Sequence, residues 1–177
     1  HNVYFEDCVE GMRERLDDDS VDMVFTSPPY NVEKTQSGTR ASETVDYEDD
    51  RSPEESRQFL GEVFTEACRV LKPEGHLFIN LDHDWTDRTC TPSTWIQGVV
   101  PAPLRSIVIW SQPTFHRPHY PDRGQFQTNY EPIYHFSADP SAITDKKASS
   151  VWEINDASKE DRGDYGPHPA PYPTSLV

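Results

Sequence analysis

The run Thr26-Ser27-Pro28-Pro29-Tyr30-Asn31 holds the residues whose types and spacing are best suited to chemistry. Two consecutive prolines fix φ and remove two backbone donors, and Pro28 also keeps Ser27 out of the α region. The turn becomes a rigid row of carbonyl acceptors. Acceptors around Ser27 and Pro28 suit an exocyclic amino group on a nucleobase, and the ring of Tyr30 offers a face on which an unstacked base can lie. Such an amino nitrogen is a poor nucleophile because its lone pair is spread into the ring. Oxygens accepting from its N–H bonds favour a more pyramidal nitrogen and aim it in line at a sulfonium methyl group. No covalent enzyme nucleophile is then needed. A second reading of the same residues stays open: Pro-Pro-Tyr as a plain rigid turn, or as a ligand for a polyproline-recognising domain.

The corner needs elements to hold it. Asn2–Phe5 reads as a short strand, followed by Asp7 as N-cap with Glu10 three places on, and a helix whose inner face is Val9, Met12 and Leu16. Asp17-Asp-Asp-Ser is a turn into a strand over Val21–Phe25, so the corner falls just beyond a strand's carboxyl end, where open parallel sheets bind ligands. From Val32 to Arg51 the chain is polar, a long loop of the kind that serves as a lid. Ser52-Pro53-Glu54-Glu55 opens a second helix with a cap, a first-turn proline and a returning glutamate. Its apolar stripe of Phe59, Leu60, Val63, Phe64, Ala67, Val70 and Leu71 should cover a sheet, and Pro73 and Gly75 stop it. Strands are expected at His76–Asp82, Ser106–Trp110 and Pro132–Phe136, with Val151–Ile154 the one compact apolar cluster after Ala138. Alternating strands and helices predict an α/β fold with a mostly parallel sheet.

The 177 residues suffice for one ordinary domain, and 34% hydrophobic content leaves little for a second. No apolar run approaches ~18 residues, and the opening residues lack a secretory profile, so a cytoplasmic protein without membrane partners is expected. Three scattered cysteines, Cys8, Cys68 and Cys90, argue against a disulfide framework or a Cys-rich zinc site. With 31 acidic against 16 basic residues the formal charge is -15, which alone disfavours a polyanion. Five lysines against eleven arginines amid this acidity also fit a halophilic habitat, where salt shortens the reach of the overall charge.

Several segments, in this order, together resemble the permuted, beta-class amino-group DNA methyltransferases that use S-adenosylmethionine. They are Asp7-Cys8, Ser20–Val32, Ala67–Ile79, Tyr130–Phe136 and His168-Pro169-Ala170-Pro171-Tyr172-Pro173. The resemblance implies a Rossmann-like methyltransferase sheet flanked by helices. It implies methyl transfer to the N4 amino group of cytosine in double-stranded DNA, with the target base flipped. Thr-Ser-Pro-Pro-Tyr is the form associated with N4-cytosine; Asp at position 27 would be usual for N6-adenine, which stands as the alternative. Carried onto this chain, Ser27, Pro28, Pro29 and Tyr30 resemble the catalytic loop, and Asp7, Thr26, His168, Pro169 and Pro171 the S-adenosylmethionine contacts. The implied division is a catalytic part over residues 1–137, a variable or target-recognition segment over 138–166, and the start of the cofactor side over 167–177. Such enzymes continue into a Gly-rich cofactor loop, and no Gly-x-Gly occurs here, so the fold is expected to be incomplete at its C-terminus. The rival from another class is a noncatalytic DNA-binding or scaffold fragment. A cognate restriction endonuclease and a homodimer are the partners that the resemblance allows.

His116–Arg123 is the most basic and aromatic stretch, and Arg117, Tyr120 and Arg123 suit contact with phosphate or a displaced base. An ordinary solvated loop is the alternative. No metal is expected: Asp82-His83-Asp84, His116 and His119 lack a spaced partner set.

Overall fold

The computed structural model describes residues 2–29, 51–86, 89–113, 126, 128–140, 143, 145, 147–155, 172–173 and 175–176. Helix α1 (Cys8–Arg15) starts where Asp7 accepts hydrogen bonds from the backbone N–H groups of Val9 and Glu10 at 2.9 and 3.0 Å. Two donors otherwise orphaned at the helix start are satisfied in this way. Val9 is buried and Met12 packs on the core, but Leu16 is 39% exposed, because the helix ends before it and its backbone is already extended. Asp19 takes a left-handed φ of 55°, which a short polar side chain tolerates, and turns the chain into β1 (Val21–Thr26).

Helix α2 (Pro53–Val70) has the full reciprocal cap: the Glu55 N–H donates to Ser52 Oγ, and the Ser52 N–H donates to Glu55 Oε2 at 2.9 Å. Its stripe buries Leu60, Phe64, Ala67 and Val70, each large side chain worth about 1.5–3 kcal/mol of removal from water. The helix gives way at Leu71, earlier than the Pro73 stop signal suggested, and β2 (Leu71–Asn80) begins there. Between Val21 opposite Leu71 and Met23 opposite His76 the register slips, so Lys72–Gly75 bulges from the ladder. Gly75 is required in that bulge, since a Cβ there would meet the Lys72 carbonyl at 2.9 Å.

A small hairpin of β3 (Asp84–Thr86) and β4 (Thr89–Thr91) and a 3₁₀ turn (Thr94–Gly98) precede the remaining sheet strands, β5 (Leu104–Ser111), β6 (Tyr130–Phe136) and β7 (Val151–Glu153). The main sheet runs β1-β2-β6-β5-β7. The β1/β2 and β5/β7 ladders are parallel, whereas β2/β6 and β5/β6 are antiparallel. The sheet is therefore mixed, not mostly parallel as expected. The physical cause is that β6 enters reversed between β2 and β5. The fold remains α/β, with α2, Leu77, Ile79, Tyr134, Phe136 and Ile96 forming the core on one face. The other face carries a smaller core of Val108, Trp110, Ile133 and Leu176, packed by Phe25, Phe78, Trp152 and Tyr172 rather than by a described helix. Among the described residues, Asn2–Phe5 forms no ladder and is not a strand, and Phe5 is 99% exposed. Its β-favouring residues have no neighbouring strand to pair with here. No described helix is long and apolar enough to cross a membrane.

Candidate functional site

The strand directions fix where a site can be. β2 runs with β1, β6 runs against β2, β5 runs against β6, and β7 runs with β5. Four strands therefore end on one edge, at Thr26, Asn80, Ser111 and Glu153, and β6 starts there at Tyr130. The Thr26–Pro29 corner leaves β1 on this edge. Thr26 is half-buried, Ser27 exposed, Pro28 buried and Pro29 half-buried. One proline thus anchors the turn while the Ser27 side reaches solvent, as a rigid acceptor row requires.

Beside the corner lies Asn80, the last residue of β2, since Thr26 stands opposite Ile79 in the ladder. Asn80 is 1% exposed. Its Nδ2 donates to the Pro132 carbonyl at 3.1 Å, and its Oδ1 accepts from the Tyr172 hydroxyl at 3.1 Å. The Tyr172 ring meets Phe25 of β1 edge to face, with centroids 5.3 Å apart, and Trp110 of β5 at 6.1 Å. The edge therefore brings together the corner, the end of β2 and the Tyr172-Pro173 part of the Pro-rich run.

Two buried atoms near this edge have no hydrogen-bond partner among the described residues, His83 Nδ1 and Gln112 Oε1. Each belongs to a residue just past a strand end, His83 beyond β2 and Gln112 beyond β5. Asp82 is shaped by local bonds: His83 N–H donates to its Oδ1 at 2.8 Å, and Ser93 Oγ donates to its carbonyl at 2.6 Å. Burial pushes the Cys68 thiol up to about 11, so it stays protonated and is no nucleophile.

Asp7 sits at the start of α1 with Oδ1 engaged in both cap bonds, and its Oδ2 has no hydrogen bond to a described residue. Tyr30, His168, Pro169, Pro171, Arg117, Tyr120, Arg123 and the expected 32–51 lid lie outside the described residues, apart from Arg51 at its end. Asn80, Trp110 and Gln112 were not among the sequence candidates; Tyr172 entered only as part of the His168–Pro173 run, and His83 only within a segment set aside as a metal site. An asparagine in the otherwise apolar run Leu77-Phe78-Ile79-Asn80-Leu81 was the available signal, because a buried amide is costly unless bonded.

Residues 21–177 match the family model described as DNA methylase, of the N6 and N4 type. The type II methyltransferase M.BglII of Bacillus subtilis is 28% identical over 162 residues, which is 84% of this chain and 41% of that protein. The structure of the PvuII DNA methyltransferase (cytosine-N4-specific) superimposes with a TM-score of 0.64 at 15% identity, covering 98% of this chain and 66% of that one. A putative DNA modification methylase of Thermus thermophilus, complexed with S-adenosyl-L-methionine, matches with a TM-score of 0.50 at 20% identity, over 88% of this chain and 58% of that one. The chain thus spans about two fifths of its curated relative.

Proposed function

The chain belongs to the DNA methylase family, and on that premise we propose that it transfers a methyl group from S-adenosylmethionine to the N4 amino group of cytosine in DNA. The observation that carries this reading is the Thr26–Pro29 corner at the shared carboxyl edge, rigid, partly exposed and next to Asn80 and Tyr172. The methyl donor, when bound, supplies an electrophilic sulfonium methyl. Its fit is supported by the acceptor chemistry at hand: Asp7 Oδ2 is available to ribose hydroxyls, and Thr26, His168, Pro169 and Pro171 would complete the contacts. The carbonyls of Ser27 and Pro28 and the Ser27 hydroxyl hold the amino hydrogens and orient the nitrogen lone pair, while Pro29 keeps the turn stiff. Tyr30 stacks on the flipped base. Arg117, Tyr120 and Arg123 meet the duplex, and residues 138–166 add target recognition to the catalytic part over 1–137 and the donor side over 167–177. The name of the Bacillus subtilis relative, a type II methyltransferase, supports pairing with a restriction endonuclease.

N6-adenine is the second reading, favoured by the family model's covering both amino targets. The deciding experiment incubates the protein with tritiated S-adenosylmethionine and double-stranded DNA at several salt concentrations, followed by nucleoside analysis. Label in N4-methylcytosine is expected, with Tyr30→Ala losing most incorporation while keeping its thermal midpoint. Label in N6-methyladenine, or none from folded protein, overturns the cytosine assignment.

A further inference from the structure

Asn80 interrupts an apolar strand end, and both ends of its amide are used. Nδ2 is tied to the Pro132 carbonyl, which fixes the side chain so that Oδ1 faces the Tyr172 hydroxyl 92 positions away. The hydroxyl bond complements ring contacts of Tyr172 to Phe25 and Trp110, while Pro173 is buried and Leu176 is 7% exposed in the second core. Tyr172 is thereby seated across strands β1, β2 and β5 at the edge where the Ser27 corner emerges. His168, Pro169 and Pro171 precede it by four, three and one positions.

We propose that Asn80 and Tyr172 form a latch that sets the methyl-donor side of the site against the Thr26–Pro29 corner. The inference rests on the methyltransferase reading above and adds two positioning residues to it. Neither side chain needs to touch the reacting atoms. A single neutral hydrogen bond holds Tyr172 at the sheet edge beside the corner, so its loss weakens donor affinity more than the chemical step.

The test compares wild type, Tyr172→Phe, Asn80→Ala and the double variant. Tyr172→Phe keeps the ring and deletes the hydroxyl. It is expected to raise KM for S-adenosylmethionine roughly fivefold, the worth of one such bond, with kcat changed less and KM for DNA unmoved. Hydrogen exchange of the amides at 174–176 should speed up, while that of α2 stays as in wild type. The double variant should be no worse than Asn80→Ala, because the two side chains share one interaction. If Asn80→Ala fails to fold, Tyr172→Phe decides alone. Unchanged KM, additive effects, or faster exchange without a change in donor KM each overturn the latch. A folded wild-type protein that binds no S-adenosylmethionine instead removes the methyltransferase reading on which the latch stands, an outcome read from the wild type alone.

Discussion

Mild acidification should destabilise this fold, and His135 is the reason. The residue is 1% exposed within the sheet, its Nε2 lies 2.9 Å from His76 Nδ1, its Nδ1 lies 3.1 Å from Ser106 Oγ, and its ring stacks on Phe78 with centroids 4.7 Å apart. Burial lowers its pKa from 6.5 to about 4, with the neighbouring His76 and Arg105 adding to the effect. The folded state therefore favours neutral imidazole. Below pH 6.5 the unfolded chain binds the proton and the folded one does not, so stability is complete above that value and falls as pH drops toward 4. Integrating the difference in bound protons gives a loss of about 2 kcal/mol at pH 5 and about 3 kcal/mol at pH 4, relative to pH 8. Urea denaturation followed by tryptophan fluorescence at pH 8, 6 and 5 measures it. Glu6, Glu55 and Glu66 add nothing to this window, because their pKa values are held below 4.5 by Arg15, by Ser52, and by Arg69 with Arg13, respectively. Their contributions disappear only at lower pH. His135→Gln retains hydrogen-bonding atoms but no titration, and should flatten the drop between pH 8 and 5 by about 2 kcal/mol. A variant that loses stability as steeply as wild type over that range refutes the reasoning.

Asp7 can be separated into its two roles. Asp7→Ala should cost about 1 kcal/mol by removing the cap of α1, whereas Asp7→Asn retains the cap and the denaturation midpoint. Both should raise KM for S-adenosylmethionine if the carboxylate holds ribose hydroxyls, and an Asn variant with wild-type donor affinity leaves Asp7 as a cap alone. Phe64, fully buried where α2 meets the sheet, should lose about 3–5 kcal/mol on Phe64→Ala by urea denaturation. A loss under about 1 kcal/mol would mean that α2 does not pack as described.

The parts legible in the sequence are those written locally. The Ser52–Glu55 cap and the α2 stripe are set by residues a few positions apart, and they stand in the structure as expected. The strands at 21–26, 104–111 and 130–136 follow from β-branched and aromatic runs of ordinary length. Features that depend on a distant partner were not legible. Asn2–Phe5 has the residues of a strand but pairs with no described neighbour, since propensity proposes a strand and only a ladder makes one. Leu71 fits the helical stripe equally well as a strand start, and its pairing with Val21 decides the matter. The Asn80–Tyr172 bond joins residues 92 apart, beyond any periodic signal.

The sense of the ladders was the largest departure, yet it left the inferred location of the site intact, and the geometry explains why. Alternating strands and helices do not say whether a late strand enters between two earlier ones. β6 does so, reversed, and converts two expected parallel ladders into antiparallel ones. A reversed strand between β2 and β5 restores β5 to the direction of β1 and β2, so their carboxyl ends still face the same way. Ligand binding depends on where strand ends and their loops converge, not on the sense of each hydrogen-bonded pair. The corner after β1 therefore keeps Asn80 of β2 and Trp110 of β5 as neighbours through Tyr172, which touches all three strands. A second reversed strand inserted between β1 and β2 would have separated Ser27 from Asn80, and the parallel β1/β2 ladder that α2 connects is what prevents it.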